Sequence, residues 1–152
     1  FGFFLIILII PTNLLILLSG RYAVETQDRH VYLWQDERKA FSWLEANTAA
    51  DALILAAPET GLFIPAYTGR RVIYGHPFET VDAEVQEAFV EDFYLGRMTH
   101  ADAISEFNQR GIDYIFFGPR ERSLGTPALL RDMEEVYSEG DVSIYVFDPI
   151  GE

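Results

Sequence analysis

The chain has 152 residues, with 24 acidic and 11 basic side chains, a formal net charge of −13 and no cysteine. That length fits one domain with a core of its own. The lack of cysteine excludes disulfides and thiol chemistry, and so acidic a balance disfavours nucleic acid and anionic lipid as partners. The charge is uneven: all 24 acidic residues follow Arg21, where ten basic residues leave a net of −14.

Phe1 to Leu18 carries no charge, and at about 1.5 Å per residue it would span roughly 27 Å, close to the hydrocarbon thickness of a bilayer. It reads as a transmembrane helix over residues 1–20. A secretory signal peptide would want an initiator Met and a basic start, whereas the first positive charge is Arg21. A buried core helix would show a polar face, whereas the polar interruptions are Thr12 and Asn13 after Pro11, which a membrane helix tolerates at a kink. With no Met at its start, the sequence reads as the tail of a larger membrane protein. Flanking charge leaves the topology open, because Arg21 and Arg29 are balanced by Glu25 and Asp28. Residues 21–35 read as a juxtamembrane linker, where Tyr22, Tyr32 and Trp34 suit either a headgroup-level anchor or packing against the domain.

Residues 36–150 read as an α/β domain, because helical and strand periods alternate. Asp36 to Thr48 is an amphipathic helix with Asp36 as its cap, Ala40, Phe41 and Leu44 inward, and Asp36, Glu37, Lys39 and Glu45 solvated. Ala52 to Ala57 and Arg71 to Gly75 have the continuous apolar or β-branched character of parallel strands buried on both faces. Pro58 to Arg70, with two prolines and two glycines, is a long connection with room for a short helical turn. His76-Pro77 forces an extended step. Thr80 is placed to cap a helix reaching about Leu95, with Val81, Val85, Ala88, Phe89 and Phe93 inward and Gly96 as its stop. Thr99, with Asp102 three residues on, starts the next helix, and Gly111 supplies its left-handed end. Tyr114 to Phe117 is a third strand, leaving through Gly118-Pro119-Arg120-Glu121-Arg122. Thr126-Pro127 signals a helix with Leu129, Leu130 and Met133 inward. Val136 to Ser138 and Val142 to Phe147 form a closing hairpin. The expected fold is therefore a small, mainly parallel sheet with flanking helices and a C-terminal antiparallel hairpin, three parallel strands first and the pair at the edge.

Ligands in open α/β sheets sit beyond the carboxyl ends of the parallel strands, which places Glu59, His76, Glu79 and Arg120 on one rim. Glu59, His76 and Glu79 are residue types that bind metal or move protons, but no diagnostic ligand spacing accompanies them and His30 and His100 lie elsewhere, so no metal or other cofactor is assigned. The bland alternative is that His76 and Glu79 bond to the loop backbone. Arg70, Arg71, Arg120 and Arg122 concentrate guanidinium groups beside strand ends of an acidic module. They suit a phosphate or carboxylate ligand, or else ion pairs with Glu59, Glu79 and Glu121. The candidate ligand-binding set is Glu59, Arg70, His76, Glu79, Arg120 and Arg122. Glycines 61, 69, 75 and 118 form no phosphate cradle, and no serine has an evident base, so no catalytic residue is assigned.

The order of parts, with FSWLEANT, ALILAAPETGLFIPAYTGRRVIYGHPFET, GIDYIFFGPRER and VYSEGDVSIYVFD, resembles the soluble C-terminal module of bacterial multispanning membrane proteins of the GT-C glycosyltransferase type. The resemblance implies an integral membrane enzyme using a polyprenyl-phosphate sugar donor, with this domain outside the cytoplasm and attached to upstream membrane helices. It implies contact with the lipid bilayer and with a polyprenyl-phosphate sugar or glycan acceptor, and no nucleic acid. The catalytic carboxylate of such enzymes lies in an early loop that has no counterpart in this sequence, so the module would be accessory. The alternative is a membrane-anchored ligand-binding or sensing module.

Overall fold

The structure, a computed structural model, describes residues 13–22 and 32–148. The chain divides into two compact units, Phe1–Leu33 and Trp34–Glu152. In the first, residues 13–22 form a helix, α1, along which Leu14 to Leu18 are each more than half exposed. Much of the membrane helix expected over residues 1–20 lies outside the described residues; among those described, no helix is long and apolar enough to cross a membrane.

The second unit is built on a five-stranded sheet of order β2-β1-β3-β5-β4. Strands β1 (Leu53–Leu55), β2 (Arg71–Val72) and β3 (Tyr114–Phe117) are parallel. The hairpin β4 (Glu134–Glu139) and β5 (Val142–Val146) runs antiparallel to β3 on the far side. This is the expected sheet: Ala52 to Ala57 and Arg71 to Gly75 contribute adjacent strands of it. A bulge between Glu135 and Tyr137 interrupts the outer edge, and Gly140, at φ 59°, turns the hairpin in a backbone region that glycine enters without cost.

Successive side chains of a strand point to opposite faces, and both faces are covered at β1, β3 and β5, whereas β2, expected to be buried on both faces, has Arg71 exposed and Val72 half-buried. On one side Phe41 of α2 (Gln35–Asn47) meets Phe116 of β3 with ring centroids 5.5 Å apart, and Ile54 and Ile144 are fully buried. On the other, Leu55, Ile115 and Phe117 join Phe89, Val90 and Phe93 of α5 (Ala83–Tyr94), and Ala103 and Phe107 of α6 (His100–Arg110), in one core cluster. The result is three layers. The connection from Pro58 to Arg70 folds into two short helices, α3 (Pro58–Gly61) and α4 (Ile64–Thr68), each with proline in its first turn, a place where the missing N–H costs nothing. Thr99 caps α6 by accepting from the Asp102 N–H at 3.2 Å, and Gly111 ends it at φ 69°, both as the sequence expects.

Several local expectations need correction. Glu37 is not solvated but fully buried, and it rather than Asp36 closes the first turn of α2, accepting the Trp34 N–H at 3.0 Å. Thr80 does not cap a helix. Its hydroxyl accepts from the Gly75 N–H at 3.3 Å, and α5 begins only at Ala83, after Asp82 at φ 53°. That later start turns the helix so that Phe89, Val90, Phe93 and Tyr94 face inward while Val81, Val85 and Ala88 are exposed. The segment after Pro127 is a five-residue 3-10 turn, Ala128–Asp132, with Leu129 and Leu130 buried and Met133 only half-buried. Strand β4 starts at Glu134, directly after this turn.

Tyr94 ties the two central strands together where they end. Its hydroxyl lies 3.0 Å from the Leu55 carbonyl and 2.8 Å from that of Phe116, both buried. We expect Tyr94→Phe to lower unfolding free energy by about 1 to 2 kcal/mol, because buried acceptors lose their donor. Denaturant titration checks this, and a loss too small to measure would place those bonds outside the stability of the sheet.

Candidate functional site

The carboxyl ends of β1 and β3 open onto packed protein rather than a cleft. The chain leaves β3 through Gly118 into α7 (Pro119–Leu124), whose second and third residues are Arg120 and Glu121. Glu121 is fully buried; its two oxygens accept from the Ala57 and Gly118 N–H groups, each at 2.9 Å, so one carboxylate satisfies the backbone beyond both strands. Burial pushes its carboxyl above the ordinary value, and those bonds pull it back. The Tyr94 hydroxyl titrates well above its usual value, because of burial first and the Glu121 charge second.

Arg120 points to the α2 side. Only 2% of it is exposed, and it pairs with the fully buried Glu37. Its guanidinium sits 5.0 Å from the centre of the Trp34 ring and 5.1 Å from that of Phe63, within reach of cation–π attraction. Burial raises the Glu37 carboxyl and the Arg120 charge opposes the rise. Trp34, one of the aromatic residues considered as a membrane anchor, therefore packs in the domain. This group is closed to a ligand, and the expectation that Arg120 joins Glu59, His76 and Glu79 in one site is corrected: its charge found a partner in α2, 83 positions away in sequence.

His76, Glu79 and Arg70 do come together. They line a groove of about 550 Å³ along the outer edge of β2, with Arg71, Arg110 and Val72. His76 accepts from the Phe78 N–H through Nδ1 at 3.3 Å and stacks on the Phe78 ring, so the loop holds it as the bland reading expects. Arg70 enters from the amino end of β2, not from the carboxyl rim. It donates to the Glu45 carbonyl (2.6 Å), the Thr48 carbonyl (2.9 Å) and hydroxyl (3.0 Å), and the Thr68 carbonyl (3.0 Å). A cation among the last carbonyls of α2 is favoured by the helix dipole. Arg71 donates twice to the Asp51 carbonyl, at 2.9 and 2.7 Å. Neither arginine takes the Glu59 or Glu79 partner that the sequence allows.

The remaining candidates lie apart. Glu59 is half-buried in α3 and does not line the groove. Arg122 is exposed, lies 4.4 Å over the Phe117 ring and donates to the Asp141 carbonyl at 3.3 Å. Among the described residues, no three His, Asp or Glu side chains are grouped to hold a metal ion.

The fold is similar to a solved one. The C-terminal globular domain of an oligosaccharyltransferase from Archaeoglobus fulgidus superposes with a TM-score of 0.57, over 78% of this chain and 100% of that chain, at 11% sequence identity. At that identity the likeness is one of fold. No protein-family model matches the chain, and no curated protein matches it.

Sequence reasoning missed Glu37, Tyr94 and Glu121 as structural polar groups, and Arg110 as a wall of the groove. Glu37 had a signal: it stands three residues after Trp34, the spacing at which a glutamate reaches back to a helix start. Arg110 had none, since its place depends on α6 packing beside α5, where it pairs with Glu106 and lies 4.0 Å over the Phe89 ring.

Proposed function

We propose that the chain is the accessory, non-catalytic C-terminal module of a GT-C type membrane glycosyltransferase-like protein that uses a polyprenyl-phosphate sugar donor. The observation that carries this reading is the likeness of the domain to the C-terminal globular domain of an oligosaccharyltransferase, taken with a charge-free stretch from Phe1 to Leu18 ahead of it. The absence of a recognisable nucleophile, base and oxyanion set supports placing the chemistry elsewhere in the protein. In this reading residues 1–20 are the last membrane helix, residues 21–35 the linker, and residues 36–150 an extracytoplasmic domain beside the bilayer. Upstream helices would hold the donor and the catalytic carboxylate.

The gene decides. We expect the reading frame to continue upstream of the Phe1 codon and to encode several further apolar helices, with sugar transfer by the whole protein and none by residues 1–152 alone. A start codon immediately before Phe1 would sink the reading. A second reading, a membrane-anchored binding or sensing module, is favoured by the groove that gathers Arg70, His76 and Glu79.

A further inference from the structure

The two edges of the sheet differ. The outer edge, β4, carries a bulge and Glu134, Glu135 and Glu139, features that keep other strands from adding to a sheet. The β2 edge, only the two residues Arg71 and Val72, carries no bulge and no acidic side chain. Arg71 and Ile73 donate to the Ala52 and Ile54 carbonyls of β1, at 3.1 and 3.2 Å. In a parallel ladder alternate residues bond to one neighbour, so the peptide groups of Val72 face away from β1, toward the groove.

Charge marks the same place. Arg70 and Arg71 donate to carbonyl and hydroxyl oxygens, and among the described residues neither is in a salt bridge, so no carboxylate offsets either charge. Of the groove's other ionisable groups, Arg110 is balanced by Glu106, Glu79 brings one negative charge and His76 is exposed. This is a cationic concavity on a domain whose net charge is strongly negative. At its carboxyl end the loop presents Phe78, 92% exposed, and Val81, 81% exposed, to solvent. Val81 lines the groove itself.

We propose that the β2 edge is a docking site for an extended acidic segment of a partner protein, which adds as a strand beside Val72. Its carboxylates would meet Arg70 and Arg71, and an apolar residue at one end would rest on Phe78 and Val81. Main-chain bonds would supply affinity and the alternate side chains specificity, as in other strand additions. The site does not depend on the glycosyltransferase reading and would stand if that reading fell.

The probe is the fluorescein-labelled peptide Val-Glu-Val-Glu-Val-Glu-Val, titrated with the detergent-solubilised chain and followed by anisotropy. The chain carries a strongly negative net charge, which disfavours adventitious binding of an acidic peptide. We expect saturation below about 1 mM, weakening with added salt, and a loss of at least about tenfold in Arg71→Glu, whose charge change removes an arginine–carboxylate pair. The two alternate-residue N-methylated forms of the peptide should differ, one binding and the other not, because a strand edge reads every second N–H. Phe78→Ser, at a side chain with no role in the core, should weaken binding without altering the unfolding midpoint; it carries the test if Arg71→Glu fails to fold. No saturation, binding unaffected by Arg71→Glu or Phe78→Ser, equal binding of both N-methylated forms, or equal binding of the Lys-for-Glu peptide would each overturn the proposal. So would self-association of the chain through the acidic β4 edge in place of peptide binding.

Discussion

Replacing Arg120 by Met is expected to destabilise the domain by about 3 to 5 kcal/mol, the cost of leaving one charge of a buried pair without its partner. The stranded group is Glu37, which has no exposure to water and is already pushed toward its neutral form by burial. With Arg120 gone it keeps one weak compensation, the Trp34 N–H. The double replacement, Arg120→Met with Glu37→Leu, should recover most of the loss, since two apolar side chains of similar volume need no partner. Trp34 makes the effect visible, because its ring faces the guanidinium at 5.0 Å and its emission should change when that group is removed. Urea unfolding of the detergent-solubilised chain, followed by tryptophan fluorescence, gives both readings. A single-mutant loss below about 1 kcal/mol would mean that water reaches the pair, as it does at surface pairs.

Replacing Glu121 by Leu is expected to cost about 3 kcal/mol, because two buried N–H groups, those of Ala57 and Gly118, lose their only acceptor and each such loss costs roughly 1 to 3 kcal/mol. The loss should depend on pH. Glu121 titrates above its ordinary value of 4.5 in the folded domain. The native state therefore holds that proton more tightly than the unfolded chain does. The resulting stabilisation is complete below pH 4.5 and disappears as pH rises through the raised folded value. Leucine has no proton to bind, so the gap between wild type and variant should narrow as pH rises. Unfolding free energies measured at about pH 4 and about pH 8 would test the sign, and a gap that widened with pH would falsify it.

Both residues show why the suspected rim was only half legible. The succession of strands, Gly-Pro exits and helices put Glu59, His76, Glu79 and Arg120 beyond the carboxyl ends of three parallel strands, and the strand order agrees. Position along the chain is a local property, whereas the direction of a side chain depends on what packs above it. Arg120 turned into the α2 layer because Glu37, Trp34 and Phe63 are there. His76 and Glu79 turned outward to the β2 edge, where they met Arg70 arriving from the opposite end of the strand. Charge composition marked four arginines as unusual; only their hydrogen bonds show that Arg70 and Arg71 hold main-chain carbonyls and not carboxylates.

The hydrophobic patterning by itself determined the α/β class, the three parallel strands, the antiparallel hairpin and the caps at Thr99 and Gly111, because each depends on periodicity or on conformational preferences within a few residues. It also marked Phe1 to Leu18 as a stretch that a bilayer would accept. The tertiary structure alone decided which apolar residues of the α5 region remain in water, which glutamates are buried, and which edge of the sheet stays open. Those outcomes rest on contacts between residues far apart in the chain, and burial makes a polar group costly or stable according to the partner it meets there.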